Sequence, residues 1–239
     1  KFAPAGIKEY EVFDLPYIFP DTAALHRVTR GPIGEALLKK LEARGMTGLA
    51  FWDAGFRVLS SNKPIHVPDD AKGLKIRINS SKVNQAIIRS IGALPQSMAF
   101  SEVYQALQTG VVDGADGNMA NLYTQKQYEV QKYVALTHHT YSGYAVVVNK
   151  KFWDGLPADI RTELTTAMKE ATEFNDKVAE EDEAKAIAAI KASGKTEIYP
   201  PPAEEKKLWM AAMKPVQDEL APRVGKALVD AIRKETGSN

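Results

Sequence analysis

The chain reads as an α/β protein on three observations. Short apolar runs alternate with helical patterns up to Val148, a long stretch without glycine or proline follows, and one strand ends in an arginine where a helix starts. Apolar spacing predicts helices over residues 22–30, 33–44, 82–91 and 101–109, with Gly45, Gly92 and Gly110 placed to end the last three. Between and after them, β-rich runs predict strands over 48–52, 56–60, 74–78, 97–99, 111–113, 133–136 and 144–148. Such alternation argues for mostly parallel sheets, with a ligand outside the carboxyl ends of the strands.

From Ala158 to Ser193 the positions Ile160, Leu164, Met168, Ala171, Phe174 and Val178 recur at helical spacing. A continuous helix there is on the order of 50 Å long, long enough to bridge two lobes. Two helices broken near Glu180, Glu181, Asp182 and Glu183 fit the pattern almost as well. Tyr199-Pro200-Pro201-Pro202 is a stiff connector, and the prolines predict helices over 203–213 and 215–234.

At 239 residues and 44% hydrophobic content the chain can bury a sizeable core. Its 31 Lys plus Arg balance 30 Asp plus Glu, so no bulk field attracts nucleic acid or an anionic membrane. The absence of cysteine removes disulfides, thiolate nucleophiles and thiolate-bound metals. No apolar run approaches the roughly 20 residues that span a bilayer. The opening Lys1-Phe2-Ala3-Pro4 carries no initiator methionine or signal sequence, and it reads as a processed, truncated or incomplete start.

Chemistry beyond binding is hard to place. No nucleophile elbow, Walker loop or dinucleotide fingerprint is present, so no cofactor is expected. Of four histidines, His26 and His66 read as structural or solvated, and the adjacent His138 and His139 point to opposite faces of an extended chain. No metal site is expected. Asp113 and Asp116, with their neighbouring glycines, read as a turn.

Binding is easier to place. In Gly73-Leu74-Lys75-Ile76-Arg77-Ile78-Asn79-Ser80-Ser81 a guanidinium sits at a strand's carboxyl end, and the paired serines are candidates to cap the next helix. A bidentate fork beside free helix N–H groups suits a carboxylate, which points to recognising a small acid rather than transforming one. Arg57, Asn118, Asn121, Tyr141 and Tyr144 also fall at or just beyond predicted strand ends.

Five blocks carry a family resemblance. They are Phe13-Asp14-Leu15-Pro16-Tyr17, Gly48-Leu49-Ala50-Phe51-Trp52 with Gly55-Phe56-Arg57, Gly73-Leu74-Lys75-Ile76-Arg77, the run from Met98 to Gly114, and Val148-Asn149-Lys150-Lys151-Phe152-Trp153. In this order the chain, from about Glu11 onward, resembles the DctP-type solute-binding proteins of tripartite ATP-independent periplasmic (TRAP) transporters. The block from Met98 to Gly114 is the most specific.

The resemblance implies a two-lobed periplasmic-binding-protein-like α/β fold, a long helix crossing both lobes and a cleft that closes on ligand. It also implies that about two β-α units of the family precede the start of this chain. The lobes are expected as residues 1–55 with 142–181, and 56–141 with 182–239. By the same resemblance Arg77 would bridge the ligand carboxylate, Arg57 would be a second basic contact, Phe100 would pack on the ligand, and Ser80 would lie beside Arg77. Two departures fall near the expected pocket: Gly117 stands at the usual asparagine, followed by Asn118, and His138-His139 replaces a common Asn-His. His138 therefore joins the expected contacts.

The resemblance further implies a periplasmic, monomeric, non-enzymatic protein. Its partners would be an organic acid, a C4-dicarboxylate first among them, and a membrane permease. Two other readings stay open at this point. One is the sensing domain of a regulator; the other is an α/β enzyme using Asp113, Asp116 or His138.

Overall fold

The computed structural model describes Phe2 and residues 6–238; the other residues of the opening Lys1-Phe2-Ala3-Pro4, read above as a start, lie outside the described residues. In chain order the elements are α1 (Thr22–Thr29), α2 (Pro32–Lys40), β1 (Met46–Ser61), β2 (Lys75–Ile78), α3 (Lys82–Ser90), β3 (Leu94–Ser97), α4 (Val103–Gln108), β4 (Gly114–Asn118) and α5 (Met119–Thr124). There follow β5 (Tyr133–Ala135), β6 (Tyr141–Asn149), α6 (Lys150–Asp154), α7 (Ala158–Ser193), β7 (Glu197–Tyr199), α8 (Ala203–Val224) and α9 (Lys226–Thr236). Short 3-10 turns at Lys8–Asp14 and Phe100–Glu102 bring further site residues into place.

The organising element is β1. Its first half pairs with β6, from Met46 opposite Asn149 to Phe56 opposite Tyr141, and its second half, Arg57–Ser61, lies between β4 and β5. One strand therefore serves two sheets, the second ordered β3-β2-β4-β1-β5-β7. The sequence expects two strands here, over 48–52 and 56–60. They are one strand because the break between them is only a bulge, in which Ala54 and Gly55 face Ser142 alone. Gly55 has a φ of 80°, which a side chain resists.

The expectation of mostly parallel sheets needs correction. β2 pairs in parallel with β3 and β4, and β5 with β7, but every pairing of β1 is antiparallel. Helical crossovers do not link β1 to its neighbours in parallel sense, so the sheets are mixed.

The long helix is unbroken. α7 runs 36 residues to Gly194, whose φ of 65° ends it in the left-handed region. Across the acidic run, Glu181 pairs with Lys177 and Lys185 one turn either side, so the charges support the helix rather than break it. Its docking on β1 is polar: Trp52 Nε1 donates to Thr172, and the Asp53 N–H to Asn175.

The expected break at Pro215 is also corrected. α8 continues through it because Trp209, Met213, Val216, Ala221 and Val224 form one buried stripe. Burial of Trp209, Met213, Val216 and Val224, at about 1.5–3 kcal/mol each, offsets the roughly 3 kcal/mol that each of the interior prolines Pro215 and Pro222 costs. The main core joins α1, α3, α8, α9 and the Lys8–Asp14 turn into one apolar cluster, so the C-terminal helices pack on elements from the first 90 residues of the chain.

Candidate ligand-binding site

A cavity of about 360 Å³ opens where the two sheets meet, lined among others by Phe13, Asp14, Arg57, Asn121, Tyr141 and Tyr144. Its floor is aromatic: Phe13 lies 5.2 Å from Phe51 and 5.9 Å from Tyr141, ring centre to ring centre. Close packing fixes the backbone beside it. A side chain on Gly143 would put a Cβ 1.9 Å from the Tyr141 hydroxyl, so only glycine fits.

Arg57 enters the cavity from the point where β1 passes between the sheets. Its Nη1 donates to Asp116 Oδ2 at 2.8 Å, and its Nε has no hydrogen-bond partner. Asp116, with only 1% of its side chain exposed, has its other oxygen 3.4 Å from His139 Nε2, and His139 Nδ1 lies 2.8 Å from Thr137 Oγ1. Burial alone would raise the Asp116 pKa; Arg57 and then His139 outweigh it and hold the group at about 2. For Arg57 burial works against the charge, and Asp116 and Asp14 overcome it.

Arg77 projects from β2, on the β4 side that α4 covers. Only 6% of the residue is exposed, its Nη2 donates to the Met98 carbonyl at 3.0 Å, and its Nε has no partner. The Phe100 ring lies beneath it, 5.7 Å from guanidinium carbon to ring centre, with the ring itself 43% exposed. Among the described residues no carboxylate forms an ion pair with Arg77. Burial consequently lowers its pKa, Asp116 offsets part of that, and Arg57 adds to it.

The structure brings some of the expected residues together and not others. Arg57, Asn121 and Tyr141 line the cavity, and Arg77 and Phe100 form the neighbouring pair, coupled to Arg57 through Asp116. Asn118 works locally: its Oδ1 caps α5 on the Asn121 N–H, and its Nδ2 donates to Ser142, which lines the cavity. Tyr141 directs its hydroxyl to Asp53 at 2.8 Å; burial, then Asp53, raises its pKa well above the usual tyrosine value.

Arg77, Phe100, Asn118, Ser80 and His138 all lie outside the cavity lining, and the last two also point elsewhere. Ser80 is exposed, and Ser81 is the cap of α3, taking the Asn84 N–H and donating to Asp14; Asn79 lines the cavity instead. His138, at a φ of 45°, turns its ring to Phe56 and Glu183 of α7, so it is His139 that faces Asp116.

Residues 115–118, expected as a turn, are strand β4. Gly114 is glycine because a Cβ there would meet the Ser60 carbonyl at 2.1 Å, a demand of close strand approach rather than of turning. Asp113 accepts the Lys75 N–H at the strand's entry. The space beside Gly117 is open, with nothing within 4 Å of the missing Cβ.

Sequence reasoning passed over Asp14 and His139 as site residues and weighed Asp116 only as an acid/base group of an enzyme, not as a partner of Arg57. The signal for Asp14 was a lone acid in the apolar run Val12 to Pro16; for Asp116 it was its place on the same strand face as Asn118.

The chemistry of the site is recognition: cationic, aromatic and amide groups converge on a space of small-molecule size. No helix among the described residues is long and apolar enough to cross a membrane. A family model described as bacterial extracellular solute-binding protein, family 7, matches residues 1–223. The chain is 54% identical over 236 residues to the C4-dicarboxylate-binding periplasmic protein DctP of Rhodobacter capsulatus, covering 99% of this chain and 71% of that protein. Its fold matches a TRAP periplasmic solute-binding protein from Shewanella oneidensis with bound succinate, at a TM-score of 0.94 and 35% identity, over 99% of this chain and 77% of that one. It also matches one from Pseudomonas aeruginosa with bound L-malate, at 0.88 and 36%, over 91% and 76%.

Proposed function

The chain belongs to the bacterial extracellular solute-binding proteins of family 7, and on that premise we propose that it is a periplasmic binding protein that captures a C4-dicarboxylate and delivers it to a TRAP membrane permease. Arg77 is the observation that carries the ligand assignment. A buried guanidinium with no carboxylate partner among the described residues and an unpaired Nε is an unfilled anion site, and burial makes the incoming bond stronger than in water. Phe100 beneath it supplies apolar burial for the ligand's carbon chain. Arg57 and the half-buried Asn121 are placed to meet the far end, with Asn118 holding Asn121 in position.

The protein acts as a monomer and not as an enzyme in this reading: the acid groups around the arginines are engaged as counter-ions, not poised for proton transfer. Closure of residues 1–55 with 142–181 against 56–141 with 182–239 would bring the aromatic floor and the arginines around the ligand. Calorimetric titration with succinate, L-malate and the neutral isostere succinamide tests this. We expect saturable one-to-one binding of both acids and none of succinamide; a chain that binds neither acid overturns the reading.

A further inference from the structure

Arg57 lines the cavity with Arg77 beside it, an arrangement that suits a dianion, and the fixed charges around them temper that preference. Asp116 is buried on Arg57, with Nη1 2.8 Å from Oδ2, and it acts electrostatically on Arg77 as well. Asp14 is 5% exposed, lines the cavity and also acts on Arg57. Glu11, the other acid in the lining, is matched by Arg223 through bonds of 2.6 and 3.2 Å. Asp53 is engaged by Tyr141 and His26, and His139 faces Asp116 from the loop before β6. Arg57 is thus paired with one buried carboxylate, Asp116, whose charge also reaches Arg77.

We propose that Asp116 is a specificity-determining residue: it holds a permanent negative charge against Arg57 and thereby sets how strongly the cleft favours dianions over monoanions. This rests on the reading of the cleft as an organic-acid site. Asp116 does not touch ligand in this scheme. It occupies one arm of Arg57, leaving Nε and Nη2, and its charge opposes both carboxylates of a dianion but only one charge of a monoanion. A unit charge about 10 Å away, at an effective dielectric of about 20, changes affinity on the order of tenfold.

The test compares succinate with the monoanion succinamate at a fixed pH near neutrality in wild type, Asp116→Asn and the double variant Arg57→Gln/Asp116→Asn. Asparagine keeps an oxygen for Arg57 while removing the charge, so the succinate-to-succinamate affinity ratio should rise on the order of tenfold. The double variant removes both charges together and leaves no stranded ion. Its ratio should stay within about threefold of wild type while both affinities fall. An unchanged ratio in Asp116→Asn, or an equal loss for both ligands, makes Asp116 a mere support for Arg57 and overturns the proposal. A double variant whose ratio drops tenfold overturns it too, and serves if the single variant does not fold. A wild-type chain that binds neither acid removes the binding reading itself, a separate outcome.

Discussion

The two arginines of the cleft sit in opposite electrostatic surroundings. Arg57, where β1 passes between the sheets, is tied to the buried Asp116; Arg77, near the end of β2, has a carbonyl and an aromatic face for company. A tied guanidinium is part of the fold, since removing it strands a buried carboxylate. An untied one is costly to bury and holds the fold together little, which is the signature of a group kept for a ligand. In the proposed reading Arg57 serves structure as well as the ligand, while Arg77 serves the ligand alone.

Substitution separates the two roles. Arg57→Met leaves buried Asp116 with only His139 beside it, and is expected to cost about 3–5 kcal/mol of stability in denaturant unfolding, whereas Arg77→Met should cost less than about 1 kcal/mol. Equal losses would break the comparison. On the binding side the order reverses: Arg77→Met should weaken succinate by about 2–4 kcal/mol, from roughly 30-fold to several hundredfold, read by calorimetry.

Acid sharpens the same contrast. The Asp116 pKa is lower in the fold, at about 2, than its ordinary 3.8, so the folded state binds fewer protons than the unfolded one. Its stabilisation, on the order of 2 kcal/mol, is full above about pH 4 and disappears as pH falls towards 2. In a comparison of unfolding curves, Asp116→Asn should lack this step and Arg77→Met should keep it. The smallest effect belongs to Phe100→Ala, which should cost about 1 kcal/mol of succinate affinity with the melting temperature nearly unchanged.

Local patterns were legible where a single element decides its own fate. The spacing from Ile160 to Val178 gave the first part of the long helix but left its continuation past Glu180 open, and Ser81 capped α3 as the serine pair suggested. What was not legible depends on partners distant in sequence. Pro215 looks like a stop until the stripe from Trp209 to Val224 finds its core. Gly114 and Gly117 look like a turn until Ser60 is seen to need Gly114 bare. The cleft behaves likewise. Arg57 and Arg77 stand out by strand position, but the partner that distinguishes them, Asp116, is 59 residues from Arg57. His138 and His139 are equivalent as letters, and only the left-handed backbone at His138 decides which ring turns inward.

The bulge in β1 has a mechanical meaning. Ala54 and Gly55 lie between the ladder to β6 that closes at Phe56 and the ladder to β4 that begins at Arg57, and they face only Ser142. A turn of one sheet against the other would be taken up at these two residues, which carry no rung of either ladder. β1 is in this sense a torsion bar with a soft section built in, and the cavity lies beside that section.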